Sequence, residues 1–263
     1  MNNRDATRNV RRYNYYTSTI GINCIHPRNP WVTAWWSAAF PGFGHIHLGQ
    51  YLKGFILFFW EIIINVNTRL NEAMMYSFTG QFQMAKDVLE IRMLVIYIPV
   101  YLYCIWDSYR LTVDLNKHFL LAESEKASYV PFQMNGFAVN SFTKRSPWVS
   151  LVWSLLYPGL GSLYIHRIAS GFFAISWTAV IIYFSHLLEG IHYTLLGDFS
   201  QAVAILNAEW VLFLPSVYCF AAYEAYILSV EYNKLYKKEQ KQHLLKHYQN
   251  SIVLQEMKRK VKL

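Results

Sequence analysis

The sequence predicts an all-α fold, a polytopic membrane helical bundle built from two tandem parallel repeats. One observation is that residues 30–117 align with residues 147–234 at a constant offset of 117 positions, without a gap. Self-similarity at a fixed period indicates one structural unit used more than once. The other observation is composition, because only 15% of the residues are charged and 54% are hydrophobic. Soluble domains average about 25% charged and about 45–50% apolar residues.

The shortage of charge is concentrated in segments that are candidates for membrane spans. Segment 54–66 contains Glu61 as its only charged residue, segment 91–106 contains only Arg92, and segment 168–188 contains no Asp, Glu, Lys or Arg. Long apolar stretches with few charges are typical of transmembrane helices. A large soluble helical core is the alternative, but it would need polar outer faces that these segments lack.

Identities between the two copies mark where each repeat begins, turns and ends. They are Pro30-Trp31-Val32 with Pro147-Trp148-Val149, Pro41-Gly42 with Pro158-Gly159, Gly54-Phe55 with Gly171-Phe172, Trp60 with Trp177, Gly80 with Gly197, and Asn116-Lys117 with Asn233-Lys234. We expect four glycines to be structural residues of the turns, because small residues let helices approach closely in lipid. These four are Gly42, Gly44, Gly159 and Gly161.

The distribution of Lys and Arg predicts the side of the membrane on which each segment lies. Both tails and the segment between the repeats are rich in Lys and Arg, whereas residues 185–209 contain neither. By the positive-inside rule, the basic segments are cytoplasmic and the loops within the repeats face outward. The chain then divides into a basic cytoplasmic tail (1–29), repeat 1 (30–117), a cytoplasmic linker (118–146), repeat 2 (147–234) and a basic cytoplasmic C-terminal helix (235–263).

A repeat that starts and ends in the cytoplasm crosses the membrane an even number of times, although each repeat has three apolar segments. The first segment is short, since Asn29-Pro30 indicates a helix start and Pro41-Gly42 breaks the helix after about 16 Å. A bilayer core is about 30 Å thick. We therefore expect residues 30–40 and 147–157 to form interfacial or re-entrant helices. The alternative, six spans, requires these segments to cross.

The other two segments of each repeat predict a long transmembrane helical hairpin, which gives four spans in the whole chain. In repeat 1 we expect one continuous helix as far as Phe78, a turn at Gly80, and a return helix that ends near Lys117. In repeat 2 we expect Asp198 or Ser200 to cap the return helix.

The stretch from Gly42 to Gly54 resembles the TM2 domain family. Gly42, Gly49 and Gly54 have the spacing of the family's glycine-rich turn, and Trp106-Asp107 resembles its tryptophan–aspartate ending. The resemblance covers a short stretch of each repeat, and the separation of Gly54 from Asp107 is longer than the family pattern. It implies a small membrane module and no reaction.

Glu61 is the first candidate functional residue, because a carboxylate in the middle of an apolar segment is costly and faces the bundle interior. It has either a role in moving protons or substrate, or a structural role with a hydrogen-bond partner such as Asn65, Tyr97 or Tyr101. Two more carboxylates, Asp107 and Glu224, occupy equivalent positions near the end of the last span.

Asp107 and Glu224 have two interpretations. They form structural ion pairs with Lys53, Arg110 or Arg167, or they form a paired acidic site on a pseudo-twofold axis.

His45 and His47 lie two residues apart beside a glycine turn. This spacing does not place both on one helical face, and the second copy has Ser162 and Tyr164 at these positions. We therefore expect the histidines to contact lipid phosphate or backbone carbonyls rather than a metal. Because no motif for a nucleophile, a phosphate loop or a metal site is present, we expect no catalytic residue, no cofactor and no metal.

These observations favour a non-enzymatic integral membrane protein that acts as a scaffold, assembly factor or accessory subunit of a membrane complex. The alternative is a small-solute or ion carrier or channel in which Glu61 and the Asp107–Glu224 pair line a polar path. Expected partners are the lipid bilayer, with anionic headgroups attracted to the basic C-terminal helix, and a membrane protein, but no nucleic acid. The expected location is the bacterial cell membrane, multipass, with both termini cytoplasmic.

Overall fold

The computed structural model describes residues 15–18, 21–125, 132–134 and 139–247. The first half contains β1 (Tyr15–Thr17), β2 (Ile22–Cys24), α1 (Pro30–Ala39), α2 (Phe43–His47), α3 (Tyr51–Thr68), α4 (Leu70–Phe78), α5 (Phe82–Val88) and α6 (Ile91–Glu125). The second half contains β3 (Phe132–Met134), β4 (Val139–Ser141), α7 (Pro147–Leu156), α8 (Leu160–Tyr164), α9 (Ile168–Ser185), α10 (Leu187–Leu195), α11 (Phe199–Ile205), α12 (Ala208–Val211) and α13 (Phe213–His247). The two halves share an element order at the offset of 117 residues found in the sequence, except that the counterpart of α6 is divided into α12 and α13.

Three helical segments of the described chain are long and apolar enough to cross a membrane. They are α6, α9 and the stretch Ala208–Leu245, which includes α12 and most of α13. The prediction of a helical membrane protein agrees with this finding.

The predicted ends of the short helix α1 are confirmed. The side chain of Asn29 accepts a hydrogen bond from the backbone N–H of Trp31 at 3.0 Å, and Pro30 is the first helical residue. The helix ends at Ala39, and Gly42 then adopts a left-handed backbone with φ 97°. This conformation favours glycine, because a side chain there is strained.

The predicted continuous helix as far as Phe78 is wrong, because the chain breaks between α3 and α4. Arg69 lies at the break with φ 55°, and His186 lies at the corresponding place of the second half with φ 53°. Non-glycine residues rarely adopt positive φ, so neither residue indicates a break from sequence alone. The return helix is also divided, since α5 is separate from α6.

Both hairpin turns lie where the sequence predicts them. Gly80 and Gly197 have φ values of 78° and 81°. Asp198, rather than Ser200, caps α11, since its side chain accepts a hydrogen bond from the backbone N–H of Gln201 at 3.0 Å.

Short antiparallel β-hairpins precede α1 and α7 and were not predicted. β1 pairs with β2, with Tyr15 opposite Cys24, and β3 pairs with β4. The first hairpin contacts the second half of the chain, because Gly21 forms a β-bridge with Arg167. The Tyr15 ring also lies 4.4 Å from that of Phe142.

Helices continue beyond the predicted repeat boundaries. α6 extends to Glu125, into the segment predicted as linker, and α13 runs without a break to His247. The C-terminal helix predicted over 235–263 is thus a continuation of α13 as far as His247. Residues 248–263 lie outside the described part of the chain.

An aromatic core joins the two halves. Phe43 stacks on Phe220 with ring centroids 4.2 Å apart, and Phe55 stacks on Phe173 at 4.0 Å. Large apolar side chains such as Leu52 (77% exposed) cover the outside of the bundle. This arrangement suits a surface that faces lipid rather than water.

Candidate functional site

The first buried carboxylate, Asp107 on α6, is surrounded by basic side chains. Lys53 on α3 forms an ion pair with Oδ2, and Nη2 of Arg110 lies 2.8 Å from Oδ1. His45 Nε2 lies 3.0 Å from Oδ2, and the side chains of His45 and Asp107 are fully buried. The group thus connects α2, α3 and α6 within the first half.

The second buried carboxylate, Glu224 on α13, pairs with Arg167, and both side chains are 3% exposed. Arg167 also reaches the first half of the chain, because its Nε donates to the hydroxyl of Tyr51 at 2.7 Å and its Nη2 to the carbonyl of Ile46 at 3.3 Å. Asp107 and Glu224 are therefore held by separate cations, and the Arg167–Glu224 pair links the two halves.

Glu61 is 3% exposed on α3 and is bound through one of its two oxygens. Oε1 accepts hydrogen bonds from Asn65 Nδ2 at 3.1 Å and from the hydroxyl of Tyr97 at 3.2 Å. Tyr101, the third predicted partner, instead donates to the carbonyl of Ala38 at 2.7 Å. Within the described residues, Oε2 has no hydrogen-bond partner.

A cavity of about 280 Å³, which we call the Glu61 cavity, lies beside this carboxylate and between the two halves. Its polar lining includes Asn71 and Ser216. The same region connects α4 to α12, because Asn71 Nδ2 donates to the carbonyl of Glu209 at 2.8 Å and the backbone N–H of Glu72 donates to Glu209 Oε2 at 2.8 Å. Polar and apolar side chains of both halves therefore line this cavity together.

A second cavity, of about 270 Å³, lies between β2, the turn after α2, and α13, and we call it the basic cavity. Arg28, His47 and Arg167 contribute its basic side chains. His47 is 2% exposed, and its Nδ1 has no partner in the described residues. Arg28 is held through its backbone, which exchanges hydrogen bonds of 2.9 and 2.8 Å with the side chain of Asn116.

Burial shifts two histidines and one cysteine in or beside the basic cavity toward their neutral forms. Burial and the positive charge of Arg28 lower the pKa of His26 to about 3, and its Nε2 accepts a hydrogen bond from Arg28 Nε at 3.1 Å. Burial, together with Arg28, also places the pKa of His47 well below its usual value. Burial raises the pKa of the Cys24 thiol to about 11. At neutral pH, the basic residues of this cavity that carry charge are therefore Arg28 and Arg167.

The four turn glycines lie where a side chain would overlap with its surroundings. A Cβ on Gly42 would overlap with the carbonyl oxygen of Gly54, and a Cβ on Gly159 with that of Gly171. A Cβ on Gly44 or Gly161 would overlap with the hydroxyl oxygen of a serine in the preceding helix, Ser37 or Ser154 respectively. These contacts bring α2 against α3 and α8 against α9. Gly42 and Gly44 thus set the backbone path that positions His45 and His47.

The sequence did not predict that the side chain of Asn116 accepts a hydrogen bond from the backbone N–H of Arg28 and donates one to its carbonyl. We call this pair of hydrogen bonds the backbone clasp. The second half has the same clasp, because Asn233 exchanges hydrogen bonds of 2.9 and 2.6 Å with the backbone of Arg145. The sequence does contain a signal for the clasp. Asn116 and Asn233 occupy equivalent positions in the two copies, and Arg28 and Arg145 are separated by the same 117 residues. Arg28 and Arg145 lie two residues before the aligned stretches 30–117 and 147–234.

No protein-family model, curated protein or solved structure matches this chain. In the part of the chain that the structure describes, no group of three or more His, Cys, Asp or Glu side chains is arranged to hold a metal ion.

Proposed function

We propose that the protein is a non-enzymatic integral membrane protein that serves as a scaffold, assembly factor or accessory subunit of a membrane complex. The observation that carries this proposal is the buried Arg167–Glu224 pair with its hydrogen bonds to Tyr51 and Ile46. A carrier rocks its two halves against each other around a central site. A scaffold needs the halves fixed, and these contacts fix them.

We also propose four spans in two parallel repeats related by duplication. The shared element order supports duplication, and α1 and α7, with ten residues each, extend only about 15 Å and are too short to span. α3 would be the fourth span, since its 18 residues extend about 27 Å. Its two ionisable residues, Lys53 near its start and Glu61 near its middle, both have polar partners in the bundle.

The proposed location is the bacterial cell membrane, with tails and linker in the cytoplasm. The excess of Lys and Arg in these segments supports this orientation, and the exposed apolar surface of the bundle supports contact with lipid. The proposed partners are the bilayer with its anionic headgroups and a membrane protein. The TM2-like stretch around Gly42 supports a small membrane module.

Locking the two halves together tests the scaffold proposal. Phe55 and Phe173 stack across the interface, so the double variant Phe55→Cys/Phe173→Cys places two thiols opposite each other. Because a scaffold does not need the halves to separate, we expect the cross-linked protein to form the same native complex as the wild type. Blue-native electrophoresis of membranes from the native host, solubilised in mild detergent, measures the size of that complex.

A bifunctional thiol reagent makes the cross-link, and Phe55→Cys alone, treated with that reagent, is the control for the loss of an aromatic ring. A complex that dissociates only when the double variant is cross-linked would show that the halves must move, and migration of the wild type as a lone monomer would argue equally against a scaffold.

A carrier is the second candidate, and the Glu61 cavity favours it, because Glu61 Oε2 lacks a partner among the described residues. If the scaffold proposal is correct, proteoliposomes with wild-type protein or with Glu61→Gln will show the same low proton flux, measured with an enclosed pH-sensitive dye. A functional intramembrane carboxylate would instead give a flux that the Gln variant loses.

Glu189→Gln serves as the matched control for this measurement, since its side chain is 53% exposed. A wild-type proton flux that Glu61→Gln removes and Glu189→Gln retains would replace the scaffold proposal with a carrier.

A further inference from the structure

The basic cavity carries a positive charge that the described protein groups do not neutralise. Arg167 is paired with Glu224. Arg28, by contrast, has no carboxylate within ion-pair distance among the described residues, and the only side-chain partner found for its guanidinium is His26, through Nε. Glu224, the carboxylate whose charge acts on Arg28, is already paired with Arg167, and Glu231, 3.9 Å from His26, is paired with Lys234. A guanidinium in this position therefore leaves donors available to a ligand.

His47 adds a second polar group to the same space. Its side chain is 2% exposed, and Nδ1 has no partner in the described chain. A buried polar atom without a partner costs free energy, and so does a charge that is taken out of water without a counter-charge. An anion in the cavity would supply the missing counter-charge, because Arg28 offers a planar fork of donors and the imidazole of His47 lines the same space.

Comparison with the second half shows that the backbone clasp does not dictate this position of Arg28. Arg145 has the same clasp with an asparagine, but its guanidinium lies over the ring of Tyr164, 5.2 Å from the centroid. Tyr164 occupies the position that corresponds to His47. One half thus covers its arginine with an aromatic ring, whereas the other places the arginine beside a histidine in a cavity.

We propose that the basic cavity binds a phosphate group, held by the guanidinium groups of Arg28 and Arg167 beside the imidazole of His47. Phosphate oxygens accept charge-assisted hydrogen bonds from arginine in two parallel contacts. The volume of about 270 Å³ exceeds that of a few water molecules, at about 30 Å³ each. The phosphate belongs either to a lipid headgroup or to a soluble compound, and only this choice of source depends on the membrane placement proposed above.

Binding to the purified full-length protein in a neutral detergent tests the proposal. The probes are short-chain phosphatidylglycerol and inorganic phosphate, and native mass spectrometry and calorimetry measure their affinities. We expect Arg28→Gln to weaken binding about tenfold or more, since a hydrogen bond to a charged group contributes about 1.5–3 kcal/mol. Arg28→Lys keeps the charge and should retain part of the affinity, while Arg145→Gln, which removes the matched arginine of the other half, should bind like the wild type.

The pattern of binding identifies the source of the phosphate. Arg28-dependent binding of phosphatidylglycerol alone identifies a lipid headgroup, and Arg28-dependent binding of inorganic phosphate identifies a soluble compound. If neither probe binds, or if Arg28→Gln and Arg145→Gln have equal effects, the proposal is wrong. Should Arg28→Gln fail to elute as a single species, His47→Gln provides the same test. A negative result leaves the cross-linking test of the scaffold unaffected.

Discussion

Replacing Glu224 by Gln is expected to lower the free energy of unfolding by about 3–5 kcal/mol. The substitution preserves the shape of the side chain but leaves the charge of Arg167 unpaired at 3% exposure. The hydrogen bonds from Arg167 to Tyr51 and Ile46 do not supply a counter-charge. Titration with sodium dodecyl sulfate in bicelles, followed by tryptophan fluorescence, measures the loss.

A double variant without either charge distinguishes two contributions to the free energy of unfolding. One is the cost of leaving Arg167 buried without a counter-charge, and the other is the net contribution of the ion pair. Because apolar residues often replace a buried ion pair with little loss, Arg167→Met/Glu224→Leu should recover most of the stability. If Glu224→Gln is as stable as the wild type, the Arg167–Glu224 pair does not hold the halves together, and the main support for the scaffold proposal disappears.

Replacing Gly42 by Ala is expected to destabilise the protein by about 4 kcal/mol, from two separate effects. The residue has φ 97°, where any L side chain is strained, and the new Cβ would overlap with the carbonyl oxygen of Gly54 and lie 3.0 Å from the backbone nitrogen of Phe58. α2 and α3 would therefore have to move apart. The same titration measures the change.

Gly80→Ala isolates the first of these effects. Gly80 has φ 78°, but a Cβ there has no neighbour within 4 Å, so its replacement should cost only about 1–2 kcal/mol. Equal losses for Gly42→Ala and Gly80→Ala would mean that the close approach of α2 to α3 contributes nothing to stability.

Much of the helix pattern was predictable, because local chemistry determines it. The pair Asn29-Pro30 starts α1 where capping rules place it, Gly80 turns the hairpin, and Asp198 caps α11. In each case a single residue type supplies the conformation or the hydrogen bond that the backbone needs. Such local signals can be recognised in the sequence without knowledge of the tertiary structure.

The rest of the fold depends on tertiary contacts and could not be read from local patterns. The β-hairpins have strands of only three residues, too short for alternation to indicate a strand. Arg69 adopts a left-handed backbone where no glycine or proline announces a break. The first hairpin, for example, is held by the β-bridge between Gly21 and Arg167, which are far apart in sequence.

The candidate site was predictable as a set of residues but not as a set of contacts. Asn65 and Tyr97 contact Glu61 as expected, because side chains in one apolar layer have few polar partners to choose from. His45 and His47 were considered together, yet one contacts Asp107 and the other lines the basic cavity. Arg28 was overlooked because it lies just before the predicted start of the repeat.

The clasps of Asn116 on Arg28 and of Asn233 on Arg145 have a consequence for the order of biosynthesis. Each joins residues 88 positions apart and closes the end of one half onto its own beginning. A nascent chain can therefore complete its first closed unit as soon as Asn116 leaves the ribosome, before the second has been translated. Domains generally fold as units in the order of synthesis. The first half can therefore be folded before Arg167 is translated, with Tyr51 and Ile46 already in position to accept its hydrogen bonds.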